Sequence, residues 1–338
     1  MRGGYRLDFV RDDAGFLALR PEWEELFGDA LDGGPYLDFN WCWIIWQRIQ
    51  LRLPDALYIA VIREAGRIVL IAPLLLIRNG LMARIDALGT VLPQNTNILV
   101  RQGMDTETIV AHLLGGIARR NPLGRLRLHR LRGSSLLAVT LFRRLDSGRG
   151  LMTIEADLSQ GYESYFATLS AATRSHHRRM LKQMSQRGAV RFSVGSTNNF
   201  RADLNWLLES KRKWKPRKGR LRGWLREKGA LNDFKQLAHD GARNGRCVLG
   251  TLWVGDRRAA AIAAFVGGGE AALYVAAYDP AFADFSPGRT VILLMLEHLA
   301  ALGLQRADFM AGESELKLRL GRPGPPLRRV DVPLAKWR

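Results

Sequence analysis

The chain of 338 residues has two cysteines, Cys42 and Cys247, far apart in sequence, so neither a disulfide framework nor a cysteine-based zinc site can be built from them. Long apolar runs are equally scarce. The longest, Ile68 to Ile77, contains Pro73 and is about half the length a membrane-spanning helix needs. The first residues, MRGGYRLDFVRDD, carry charge throughout and lack the apolar centre of a secretory signal, which with the few cysteines leads us to expect a cytoplasmic location. The readily recognised catalytic signatures are missing too. There is no GxxxxGK[ST] phosphate loop, no GxGxxG after a first strand, no HExxH and no GxSxG. His112, His129, His239 and His298 stand alone, and the adjacent His176 and His177 project about 100° apart on a helix, a poor metal clamp. We expect no metal and read the pair as part of a basic helix face.

Acidic residues are also under-represented, with 32 against 51 basic ones and a net charge of +19. Between Arg174 and Lys228 there are 17 Lys or Arg and only 3 acids, so most of the excess lies in one stretch. That concentration points to an anionic partner, or else to a solvated face of an arginine-rich chain. A composition of 47% hydrophobic and 25% charged residues excludes a disordered chain, and the length suits two domains at about 150 residues each.

Periodicity divides the chain into two blocks of similar order. The first has a strand at Tyr5 to Val10, a helix entered near Pro21, a tryptophan-rich helix around Trp41 to Trp46 and an antiparallel run of strands from Leu57. A helix from Thr106 to Arg120, a strand, a helix and a further strand complete it. The second has a basic helix from Thr173 to Arg187, a strand, two helices, three strands ending in LYVAAY, a helix from Arg289 to Leu302 and a final strand near Leu327 to Val332. We therefore expect an α/β (α+β) protein with domains at 1–155 and 156–338, each a mixed, mostly antiparallel sheet flanked by helices. No residue-level repeat accompanies the repeated order. The run Gly267-Gly268-Gly269 lies between strands and reads as a hairpin turn.

One segment carries a mechanism. In YVAAYDPAFADFSPGRT a strand and a loop precede a helix: Ser286 suits the cap, Pro287 the first helical position, and Gly288, Arg289 and Thr290 would present free backbone N–H groups. A helix N-terminus of this kind favours an anion, and Arg289 adds a full charge; an ordinary helix start fits the same residues.

From about Tyr162 to Leu320 the sequence resembles the BioF2-like or CelD-like acetyltransferase domain of the GNAT superfamily, which is related to the Fem-type peptidyltransferases. The matching pieces are RSHHRRMLKQMSQRG, LGTLWVGDRRAAAIAAFV, YVAAYDPAFADFSPGRT and EHLAALGLQRADFMAGESELK. The resemblance implies tandem GNAT-like units, the first degenerate. It implies acyl-CoA as co-substrate, acetyl-CoA above all, with its pyrophosphate at Ser286, Gly288, Arg289 and Thr290. The terminal pattern keeps Asp308, Phe309, Gly312 and Lys317, while Leu316 stands where relatives tend to have tyrosine. Tyr278 is then the phenol available to protonate a leaving thiolate. Glu313, Asp308 and Asp279 are candidate bases, and Lys317 could stabilise charge, although a salt bridge or cap accounts equally well for each.

Arg174, Arg178, Arg179 and Lys182 on the basic helix, extended by Lys211 to Arg222 with Trp214 and Trp224, are candidates to hold a phosphorylated acceptor. The expected activity is N- or O-acylation of a sugar or amine precursor in exopolysaccharide or envelope synthesis, with polysaccharide-synthesis machinery and an anionic lipid surface at the inner membrane as possible partners. A Fem-like transfer from aminoacyl-tRNA is the alternative enzyme. A regulatory protein that binds a nucleotide through Arg174 and Arg178 is the alternative without catalysis.

Overall fold

The computed structural model describes residues 4–30, 32–90, 94–142, 150–195, 199–213 and 228–337. These form two compact units, Met1–Met152 with Pro325–Arg338, and Thr153–Gly324. The last fourteen residues thus fold with the first unit, whereas the sequence pattern places everything after 156 in the second. The reason is the hydrophobic pattern of the final strand: Leu327, Val330, Leu334 and Trp337 are all buried in the first unit.

The first unit comprises β1 (Arg6–Val10), α1 (Asp13–Ala18), α2 (Arg20–Asp29), α3 (Phe39–Ile49), β2 (Ile59–Glu64), β3 (Arg67–Ala72), β4 (Leu74–Asn79), β5 (Met82–Ala87), β6 (Leu99–Val100), α4 (Thr106–Arg120), β7 (Arg125–Arg132) and α5 (Leu136–Phe142). Two helices occupy the stretch where the pattern suggests one entered at Pro21, because Asp12 caps an earlier turn through the Gly15 N–H. The strands from Leu57 are not one continuous run. At Pro73, which cannot donate to a ladder, the chain leaves a sheet of order β1-β2-β3-β6 and enters another that contains β4, β5 and β7. The tryptophans of α3 are core: Trp41 and Trp46 are buried, their indole N–H groups donating to Gln94 and Asp13.

The second unit is formed by β8 (Leu151–Asp157), α6 (Gly161–Thr168), α7 (Ala171–Ser185), β9 (Val190–Val194), α8 (Phe200–Lys213), α9 (Lys228–Arg243), β10 (Cys247–Val254), β11 (Arg257–Gly267), β12 (Glu270–Tyr278), α10 (Pro287–Ala301), β13 (Arg306–Asp308) and α11 (Glu315–Leu320); β14 (Arg322–Pro333) then leads into the first unit. Its strand order is β8-β13-β12-β11-β10-β9, antiparallel except for the β12–β13 pair. In β11 the alanines from Ala259 to Ala264 are fully buried, and such small side chains let α8 and α10 both approach the strand. The β11–β12 turn uses Gly268 and Gly269 at φ 57° and 74°, the hairpin geometry that the glycine run suggests.

The α7 helix shows why a basic sequence folds inward. Ser170 caps it through the Thr173 N–H, and Thr173, His177, Met180 and Met184 are buried along one side. His177 is therefore core and not part of the basic face. Its ring meets Phe166 edge-on, and burial, with the charges of His176, Arg178 and Arg289, lowers its pKa to about 4. An unfolded histidine takes up its proton near pH 6.5, so the folded chain binds fewer protons between about pH 6.5 and 4. Stability is thus complete above pH 6.5 and falls on acidification towards pH 4, by about 2 kcal/mol once solvent screening is allowed for. Thermal melts at pH 7 and pH 4.5 check this: His177→Phe is expected to flatten the dependence.

Candidate active site

Two features of the second unit converge on the start of α10. The first is the opening beside β12. Val275 pairs with Ala263 and Leu273 with Ala264, leaving Tyr274 as an extra residue, so β12 carries a bulge. Pairing with β13 covers only Glu270 to Ala272, against Arg306 to Asp308. The ladder between β12 and β13 ends there, and no residue of β13 pairs with the β12 edge from Leu273 to Tyr278. Lys211 of α8 reaches this edge and donates to the Ala276 carbonyl at 2.9 Å. A wedge between two parallel strands, lined by backbone N–H and C=O groups, is suited to an extended amide-containing chain.

The second feature is a cationic cradle. Ser286 is left-handed, at φ 50° and ψ 44°, and its side chain does not cap α10 as the sequence suggests. Its Oγ lies 3.1 Å from His176 Nε2, while Arg179 lies 3.3 Å from His176 Nδ1. A guanidinium can only donate, so Nδ1 accepts and the neutral ring carries its proton on Nε2, which donates to Ser286. The serine hydroxyl hydrogen is then left to be given to a ligand. Burial, followed by the charges of Arg289, Arg179 and Arg319, holds the His176 pKa below its ordinary value and keeps this tautomer in place. Arg289, in the first turn of α10, is half-buried, and its Nε is buried without a hydrogen-bond partner among the described residues. Burial and the neighbouring Arg319 disfavour its charge. A guanidinium held beside other cations, with a dry unpaired N–H, fits a multiply charged oxyanion.

The remaining candidates sort by contact. Tyr278 stands over Gly288, where an added Cβ would lie 3.2 Å from the ring, so those two positions are brought together. Thr290 is not available to a ligand: its side chain is buried, and its N–H, like that of Arg289, already donates to the Ser286 carbonyl. The expected row of free N–H groups is shorter by those two. Lys317 spends its ammonium donors on the Met310, Ala311 and Gly312 carbonyls at 3.0, 3.3 and 2.9 Å. It holds a turn in which Met310 and Gly312 both have positive φ, and so it positions the loop instead of meeting developing charge. Asp308 is buried and accepts the Met310 N–H at 2.7 Å, and Asp279 is taken by Arg257 and the Ala281 N–H. Glu313 is exposed at the same loop.

On α7, Arg174 donates to the Ala167 and Leu169 carbonyls, closing the end of α6. Both bonds use Nη1, which ties that nitrogen of the guanidinium to the end of α6. Arg178 lies over the Phe166 ring; Arg178, Arg179 and Lys182 are exposed. Of the basic stretch, Trp214, Arg222 and Trp224 lie outside the described residues. Sequence reasoning missed His176 and Arg319 as members of the cradle, and Glu155 on β8, whose register partner is Asp308. Among the described residues no cluster of His, Cys, Asp or Glu could hold a metal.

Comparison with known families matches residues 171–318 to the Acetyltransferase (GNAT) domain. The second unit carries a GNAT domain. The chain is by that assignment an acyltransferase, and the β12–α10 wedge and the cradle residues His176, Arg179, Ser286 and Arg289 lie inside the matched segment, with Arg319 one residue beyond it. Solved structures extend the likeness of fold beyond the GNAT domain to both units. FemX matches with a TM-score of 0.65 at 12% identity, over 94% of this chain and 96% of that one. A conserved protein of unknown function from Bacteroides thetaiotaomicron matches at 0.58 and 12%, over 96% and 99%. A domain named for lysylphosphatidylglycerol synthetase, from Agrobacterium fabrum, matches at 0.53 and 11%, over 94% and 92%. The architecture is thus a GNAT-superfamily, Fem-like fold of mixed, mostly antiparallel sheets flanked by helices. No curated protein matches the sequence.

Proposed function

We propose that the chain transfers an acyl group, acetyl above all, from coenzyme A to the nitrogen or oxygen of a sugar or amine precursor of the cell envelope or an exopolysaccharide. The observation that carries this reading is the cradle at the start of α10, where His176 meets the Ser286 hydroxyl, Arg179 meets His176, Arg319 is paired with Glu315, and Arg289 Nε is buried without a hydrogen-bond partner among the described residues. A pyrophosphate supplies the missing charge and the missing acceptor at once. The pantetheine arm would then run from the cradle, where Tyr278 meets Gly288, along the edge of β12 towards the loop after β13. The acceptor attacks the thioester carbonyl, its proton passes to Glu313 directly or through water, and the carbon–sulfur bond breaks to release the thiolate of coenzyme A. Lys317 and Asp308 keep the loop between them in shape.

Calorimetry with acetyl-CoA tests this directly. Gly288→Val is expected to abolish binding, because its Cβ enters at 3.2 Å from the Tyr278 ring and pushes the ring across the cleft. Glu313→Gln is expected to lower kcat and leave the acetyl-CoA affinity unchanged. A Gly288→Val protein that binds as the wild type does would overturn the assignment of the loop.

The second reading, transfer from aminoacyl-tRNA, is favoured by the exposed Arg178, Arg179 and Lys182 within the basic stretch. It requires tRNA affinity that falls steeply with salt, and a flat salt dependence removes it.

A further inference from the structure

The strongest feature outside the GNAT domain is one end of the first unit. The β4–β5 turn exposes Leu81 to 87% and Met82 to 59%, and the α4–β7 turn exposes Leu123 to 62%. These turns are neighbours. Strands β5 and β7 run parallel with Arg84 opposite Arg125, and Gly124 lies against the Ala83 carbonyl, so Met82 stands beside Leu123. The α3–β2 loop enters antiparallel to β4, where Leu76 N–H donates to the Ala56 carbonyl and Leu57 bridges to Leu75, and upstream of that contact it exposes Leu51 to 83%.

The charge around these leucines is predominantly positive. Segments 48–54, 78–84 and 119–125 together hold seven arginines, against the exposed Asp55 that adjoins the first segment and Asp86 and Asp331, which pair with Arg84 and Arg125. A water-facing turn gains nothing from large apolar side chains, and a protein partner's groove would need an acidic rim on the partner at all three turns. We infer that this end of the first unit docks on an anionic lipid bilayer. The leucines and the methionine enter the headgroup layer while the arginines stay with the lipid phosphates, the two contributions that a peripheral anchor needs together. Among the described residues no helix is long and apolar enough to cross a membrane, so the contact is one of surface insertion. It would hold the chain where lipid-linked precursors are found, and it is independent of the acyl-transfer reading.

Sedimentation of the full chain with vesicles decides this. The wild type is expected to pellet with phosphatidylglycerol-containing vesicles and to remain in solution with pure phosphatidylcholine. Leu81→Asp combined with Leu123→Asp is expected to lower the partition coefficient at least tenfold, and the milder Leu81→Ser with Leu123→Ser severalfold, with unchanged thermal midpoints. Two results would overturn the inference: failure of the wild type to pellet, or equal pelleting of the serine and aspartate variants. So would a dimer in sedimentation velocity without lipid that the double variants dissolve, since the turns would then be a self-association surface.

Discussion

An Arg289→Met variant is expected to bind acetyl-CoA roughly ten- to a hundredfold more weakly than the wild type and to melt at a higher temperature. The first effect follows from a lost charge-assisted contact, about 1.5 to 3 kcal/mol. The second follows from what Arg289 does in the free protein. Its Nε is buried without a hydrogen-bond partner among the described residues, and burial, then the charge of Arg319 against the opposing Glu315, disfavours its own charge. Methionine keeps the packing and removes both, worth about 1 kcal/mol or a few degrees. Calorimetry for binding and scanning calorimetry for melting read the two effects separately. A fall in both would make Arg289 a structural residue, and Arg289→Lys, which keeps charge without the planar fork, should recover only part of the affinity.

Asp203→Ala should produce the largest loss of stability, about 3 kcal/mol, lowering the melting temperature by roughly 6 to 12 °C for a unit of this size. Asp203 is 1% exposed on α8 and accepts Arg258 Nε at 2.8 Å and the Thr251 hydroxyl at 3.1 Å. It joins the helix to β10 and β11, and its removal leaves a guanidinium without its carboxylate. Because the same helix carries Lys211 to the Ala276 carbonyl, the edge of the wedge should loosen too, raising the KM for acetyl-CoA. Asp203→Asn, which can still accept from Thr251, should lose less. A melting temperature unchanged within two degrees would show that the pair contributes nothing.

The sheets and helices were legible in the sequence because period-two and helical patterns are local. The SPGRT helix start was legible for the same reason, since proline and glycine act on their own turn. What could not be read is what depends on packing. His176 and Ser286 meet across 110 residues, and nothing in either segment announces the other. Thr290 looks like a ligand in sequence, but it is the fourth residue past the cap, and its N–H makes the first regular helical bond to the Ser286 carbonyl. Lys317 reads as a catalytic cation until the two positive-φ residues of the preceding loop bend three carbonyls towards it. The neighbouring His177 differs from His176 by one position on a helix, yet one ring is core and the other belongs to the cradle. The 100° step between them is visible in sequence; which side faces inward is not.

The return of the final strand to the first unit has a consequence for biosynthesis. Val330, Leu334 and Trp337 lie in the same core as Leu7, Ile62 and Ile117, so that core lacks a wall until the last stretch has left the ribosome. The GNAT domain, translated second, is complete sooner. The core of the unit begun first is therefore completed only by residues made after the whole of the second unit, so its final closure comes last in synthesis.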